Sequence, residues 1–355
     1  MKKMSIRILS VLLALTMLGA VLSVAASAAT KDNVKHYRTY TCLGDSIAAG
    51  YSMPDYKKKA AGRLCIEENV RIEGSYPALV ADAVHAETFY PYAVPGHRST
   101  ELRVLLDPTY DGDWVTEKWI TELSHVESNS LEGLKAQRPK YEKAIRESDL
   151  ITIDIGLNDT WLPVMGVIQE IIHDGDPSDN YETQVEDGAR ALANGYTMED
   201  AKHDIKIIMH MPKNSSKLFS ACAKILTMSD YLENYEAIIR RIYAINPYVT
   251  VVAVSTYNPF KDWPEEAVKP LIQASQKVLY DKMNEQKAEL HETFGSKFLV
   301  ADVNQVPPVR HDTFAKVKDA TSQGIMWDPH PTEAGHRYEA DQILAVLPTA
   351  CGCEA

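Results

Sequence analysis

Five short apolar stretches punctuate the chain, at His36 to Gly44, Glu87 to Val94, Leu150 to Gly156, Tyr248 to Thr256 and Lys297 to Val303. Runs of this length, apolar on both sides of the pleat, predict strands buried on both faces. Helical periodicity lies between them. From Asp230 to Asn246, Tyr231, Tyr235, Ile238, Ile242 and Ile245 recur at steps of three and four. There Asp230 with Glu233 resembles a capping box, and Pro247 stops the helix. A second helix follows Pro264 and ends at Gly295, a residue suited to a left-handed cap. Strands alternating with helices predict an α/β fold whose parallel sheet is covered on both faces.

The hydrophobic pattern changes character at the N-terminus. A basic start, MKKMSIR, precedes an apolar run from Ile8 to Val24 and the small residues Ala26-Ser27-Ala28. Basic, apolar and small residues in that order are the signature of an export leader cleaved after Ala28. The polar TKDNVKHYR that follows, with no second long apolar run, argues against an anchor. The expected mature protein is therefore secreted, and residues 29–350 form one catalytic-size domain ahead of a short tail, 351–355.

Charge and cysteine content narrow the partners. The chain carries 37 basic and 49 acidic residues; removing the leader takes Lys2, Lys3 and Arg7 and leaves a net charge of −15. Such an acidic surface argues against nucleic acid as a partner. Cys42, Cys65, Cys222, Cys351 and Cys353 are odd in number, so an exported chain keeps at least one thiol outside internal disulfides. Cys351-Gly352-Cys353 has no second cysteine pair or nearby histidine to complete a metal site.

Two stretches exceed a simple crossover: about 107–148, with Trp114 and Trp119, and about 160–229, which opens on the apolar WLPVMGVIQEII. Each is either surface elaboration or a wall or lid over a substrate site.

Four turns carry candidate chemistry. In YTCLGDSIAAGYS the first strand breaks at Gly44-Asp45-Ser46 into an Ala-rich stretch that reads as helix. Ser46 is there either as a helix cap or as a nucleophile lifted clear of the sheet. In YAVPGHRST, Pro95-Gly96 ends the second strand, and a glycine amide can approach a ligand closely. In DLITIDIGLNDTW, Gly156 turns the chain and Asn158 offers a neutral side-chain N–H suited to an oxyanion, unless it merely closes its own loop. In WDPHPTEAGHRYEADQI, prolines flank His330, a candidate general base, and Thr332 can cap the helix that follows; His336 reads as structural. All four sit at the C-terminal ends of strands or before the last helix, the edge along which open parallel sheets bind ligands.

In these motifs the chain resembles the SGNH hydrolase superfamily, the GDSL-type lipases and esterases. Gly44-Asp45-Ser46, Gly96, Gly156-Leu157-Asn158-Asp159 and Asp328-Pro329-His330-Pro331 resemble the family's four blocks, in order, over Tyr40 to Ile343. The resemblance implies a three-layer α/β/α sandwich with a five-stranded parallel sheet, flavodoxin-like in outline, carrying helical insertions. It implies Ser46 as nucleophile, His330 as base, and an oxyanion hole made of the Ser46 and Gly96 amides and the Asn158 side chain. No cofactor or metal is expected. Many members place the orienting aspartate three residues before the histidine, where this chain has Trp327; its acid, Asp328, stands two before. Either Asp328 or a backbone carbonyl then orients His330.

The expected function is a secreted serine esterase acting through an acyl-enzyme on a small-molecule, lipid or polysaccharide ester. The tryptophans of the first insertion suit a carbohydrate O-acetyl ester, and the apolar start of the second suits a lipid. The alternative from another class is an exported binding or adhesion protein that keeps the fold without activity. A metal-dependent hydrolase is weaker still, for want of an H-E-x-x-H cluster.

Overall fold

The structure is a computed structural model that describes residues 35–51, 53–60, 70–112, 130–160, 228–259, 273, 276–304 and 330–349. The leader, Trp114, Trp119, nearly all of 160–229, Asp328 and every cysteine but Cys42 lie outside the described residues. Cys42 is a free, buried thiol, and burial pushes its pKa up to about 12.

Five parallel strands form one sheet in the order β2-β1-β3-β4-β5. They are β1 (Thr39–Gly44), β2 (Thr88–Ala93), β3 (Leu150–Asp154), β4 (Thr250–Val254) and β5 (Phe298–Ala301). All five expected strands are present, each trimmed at one or both ends. The inner strands are buried along nearly their whole length, as Leu43, Ile151, Ile153, Val251 and Val252 require. Each such side chain contributes roughly 1.5–3 kcal/mol by leaving water. Edge strand β2 carries Pro91, which has no N–H to give a ladder and is tolerated only at an edge or bulge.

The described helices are α1 (Pro54–Ala60), α2 (Tyr76–Ala83), α3 (Ser99–Leu106), α4 (Leu131–Glu147), α5 (Ser229–Ile245), α6 (Asp281–Phe294) and α7 (Glu333–Val346). Helices α2 and α7 pack together on one side; α3, α4 and α5 pack together on the other, with α5 also meeting α6. The result is the expected α/β architecture.

Two local expectations are corrected. The Ala-rich residues after Ser46 do not form a helix. They form consecutive tight turns, Ala49 N to Asp45 O (2.9 Å), Gly50 N to Ile47 O (2.9 Å) and Tyr51 N to Ser46 O (3.0 Å), and Gly50 at φ +70° breaks any regular spiral. The capping box at the head of α5 does not form either. Helix α5 starts one residue earlier, at Ser229, and Glu233 reaches out to Arg103 (2.9 Å) instead of back to the backbone.

Candidate active site

Strand β1 ends where it must pass close to β3. A side chain on Gly44 would collide with the carbonyl of Asp154, and that carbonyl accepts from the amide of Asp45 (3.1 Å). On the other side, Val94 N donates to Gly44 O (3.0 Å), so the exits of β2 and β3 are both tied to the exit of β1. Asp45 heads the turn that follows: its Oδ1 accepts from Ile47 N (2.9 Å), the Asx arrangement that aspartate favours. The polar cap of this turn thus belongs to Asp45. Ser46 is half-buried on the turn and heads no helix.

After β2, Val94-Pro95-Gly96-His97 closes with His97 N donating to Val94 O (3.2 Å). Gly96, at φ +85°, takes the third turn position, where a left-handed conformation is needed and proline precedes. A Cβ on Gly96 would meet nothing within 4 Å, so the space before its backbone is open.

After β3, Gly156 sits at φ +136°, and a side chain there would strike the Tyr231 ring and Met283 sulfur. Residues 157–160 are helical, which puts Asn158 on the first turn. Its Nδ2 donates to the carbonyl of His97 (2.9 Å), a residue of the β2 loop. Asn158 therefore reaches across to a second loop. The amide has two hydrogens, and using one on His97 orients the other.

His330 arrives from the far end of the chain. Its ring centroid lies 4.8 Å from that of Tyr51, whose amide donates to Ser46 O (3.0 Å), so the imidazole packs against the turn that carries Ser46. Its Nε2 is shielded from solvent. Thr332 caps α7 through Oγ1, accepting from Gly335 N (3.2 Å), as its position in the sequence suggests. His336 is fully buried and structural: its Nδ1 accepts from Tyr76 N (3.4 Å). The structure therefore places Ser46, Gly96 and Asn158 on turns at the C-terminal ends of β1, β2 and β3, and brings the His330 ring against Tyr51 of the Ser46 turn.

Sequence reading missed the buried ionisable groups beneath and beside this edge. Burial, followed by the charge of Asp154, pushes the Asp45 carboxyl up. Burial and Glu339 push Asp154 up, against the opposing pull of Lys287. Burial pushes Lys287 down; its Nζ donates to Val254 O and Thr256 Oγ1, both at 2.8 Å. Asp159, beside Asn158, is pushed up to about 7 by burial, against hydrogen bonds from Ser99 and the nearby Arg98 guanidinium. Its position inside Gly-Leu-Asn-Asp was the one available signal. Among the described residues no cluster of histidine, cysteine and acidic side chains could hold a metal ion, and no helix is long and apolar enough to cross a membrane.

No match is found among curated protein sequences. Similar solved structures include phospholipase A1 of Streptomyces albidoflavus (16% identity, 87% of this chain, 99% of that chain, TM-score 0.45). The extracellular lipase of Streptomyces rimosus is similar at 19% identity, with the same coverages and a TM-score of 0.45. A Geobacillus acetyl-xylooligosaccharide esterase is similar at 13% identity (88% of this chain, 95% of that chain, TM-score 0.38). The model of the GDSL-like lipase/acylhydrolase family matches residues 42–338, from inside β1 to inside α7 and across all four turns. The chain belongs to the GDSL-like lipase/acylhydrolase family and is, by that membership, a carboxylic ester hydrolase.

Proposed function

We propose that the protein is a secreted serine esterase that cleaves esters of short acyl groups through an acyl-enzyme. The observation that carries this reading is the packing of His330 against Tyr51, on the same turn as Ser46, beside the Asn158 amide joined to the Gly96 loop. Ser46 Oγ attacks the acyl carbon while His330 takes its proton, and the tetrahedral oxygen is held by the Ser46 and Gly96 amides and the Asn158 N–H. Collapse breaks the ester bond, and the departing alcohol takes the proton from His330. Water then attacks the acyl-enzyme, its proton passing to His330 and on to Ser46 Oγ as the acid leaves. Asp328, or a backbone carbonyl in its place, orients the imidazole.

A narrow crevice of about 20 Å³ lined by Ala48, Ala49, Ala93 and Pro95, with Tyr56, Ile72 and Phe89, lies beside the Ser46 and Gly96 turns, and its size supports a short acyl group there. That is room for about one water-sized group, which suits an acetyl methyl and not an extended chain. The alcohol side is then a small molecule or an acetylated polysaccharide, and export through the leader suits either.

Turnover of p-nitrophenyl acetate, butyrate and octanoate by the wild type and by Ser46→Ala tests both parts. The expected result is a rate that falls with chain length and drops at least about a thousandfold in the variant. Equal rates for the two proteins would leave the alternative of a non-catalytic binding protein. A rate rising toward octanoate would overturn the short-acyl assignment alone.

A further inference from the structure

Strands β2 and β3 are not neighbours in the sheet; β1 lies between them. Their exit loops nevertheless meet, and they do so across the end of β1, where the Ser46 turn emerges. Two consecutive residues of the β3 loop make the junction. Asn158 Nδ2 donates to His97 O (2.9 Å), and Asp159 accepts from Ser99 N (2.9 Å) at Oδ2 and from Ser99 Oγ (2.5 Å) at Oδ1.

We propose that Asp159 is a positioning residue: by gripping both donors of Ser99 it holds the Gly96 loop against Asn158, so that the two oxyanion donors keep one spacing above Ser46. The proposal rests on the esterase reading above. Helix capping alone does not account for the geometry. Ser99 is the first residue of α3, and the helix start already has its own cap: Glu101 Oε2 accepts from Arg98 N (2.8 Å) while the Arg98 guanidinium is buried in a pair with Glu101. The acceptor for the first free amide comes from a loop 60 residues away. Asn234 adds a donor to Thr100 Oγ1 (3.1 Å), so this end of α3 is held to α5 without Asp159. What Asp159 adds is the link to Asn158.

An oxyanion donor acts on the transition state, so its displacement lowers kcat and leaves KM nearly alone. In the full-length protein, Asp159→Ala should lower kcat for p-nitrophenyl acetate by roughly ten- to a hundredfold with KM within about twofold. Asp159→Asn keeps an oxygen for the Ser99 amide and should retain activity to within about fivefold. A residue that works through Asn158 must lose its effect once Asn158 is gone. The double variant Asn158→Ala/Asp159→Ala should therefore fall no more than about threefold below Asn158→Ala alone. Multiplying losses, a loss carried by KM, or full activity in Asp159→Ala would each overturn the proposal. Should Asp159→Ala not fold, Ser99→Ala, which removes one of the two bonds, gives the same cycle. Absence of Ser46-dependent turnover in the wild type would overturn the esterase reading and this proposal with it, and that outcome is seen before any Asp159 variant is made.

Discussion

Asp159, half-buried, and Glu339, fully buried, are two acids near the same sheet edge, and they differ in where their hydrogen bonds go. Asp159 has both oxygens occupied by Ser99, and it lies beside a residue that reaches a second loop. Glu339, on α7, has neither oxygen hydrogen-bonded among the described residues, and its nearest charged-type neighbour is His336 Nδ1 at 3.3 Å. That nitrogen already accepts from the Tyr76 amide, so it does not offer Glu339 a proton. An ionised carboxylate without donors would cost several kcal/mol in such a place. Burial accordingly pushes the Glu339 carboxyl well above its ordinary range. Depth alone therefore does not mark function here. The acid that ties two loops together is the one proposed for the site; Glu339 makes its contact within α7, with His336.

Substitutions can break or sharpen this contrast. Removing an oxyanion donor should have the largest effect: Asn158→Ala should lower kcat by roughly a hundred- to a thousandfold, measured on p-nitrophenyl acetate, although Asn158 is only half-buried. The Asp159→Ala loss described above should be smaller, because the donor is displaced and not deleted. Glu339→Gln removes the titratable group at nearly constant volume and should leave kcat within about twofold and stability within about 1 kcal/mol. A Glu339→Gln variant as slow as Asp159→Ala would erase the distinction.

A pH series refines it further. The folded pKa of Asp159, about 7, lies above the ordinary aspartate value of 3.8, so between these the folded state holds a proton that the unfolded chain has released. Stability from this group is present below about pH 4 and lost progressively as pH rises to about 7, by up to about 4 kcal/mol. Denaturant unfolding at pH 4, 5.5 and 7 should therefore show the wild type losing ground to Asp159→Asn across that window. A constant difference would mean that Asp159 is ionised throughout.

The sheet was legible because its inner strands are buried on both faces, which leaves an apolar run that needs no partner to be recognised. The trimmed ends are a boundary effect: residues such as Val94 and Ile155 continue the apolar run after the ladder has stopped. The turn after Ser46 was misread because Ile47, Ala48 and Ala49 favour a helix locally, whereas the Asp45 side chain and Gly50 dictate turns. Asp230 and Glu233 have the spacing of a capping box, but Arg103 on α3 competes for Glu233. The turns that carry Ser46, Gly96, Asn158 and His330 were readable because each ends a strand or precedes the last helix. Asp159 was not, because its meaning lies in Ser99, and only the fold brings those two loops together.

The most direct test of the account is the site of covalent modification by a fluorophosphonate, mapped by mass spectrometry on the intact and digested protein. The account predicts one adduct, on Ser46, absent from Ser46→Ala and formed far more slowly in His330→Ala. An adduct on another residue, or labelling of Ser46→Ala at the wild-type rate, would contradict it.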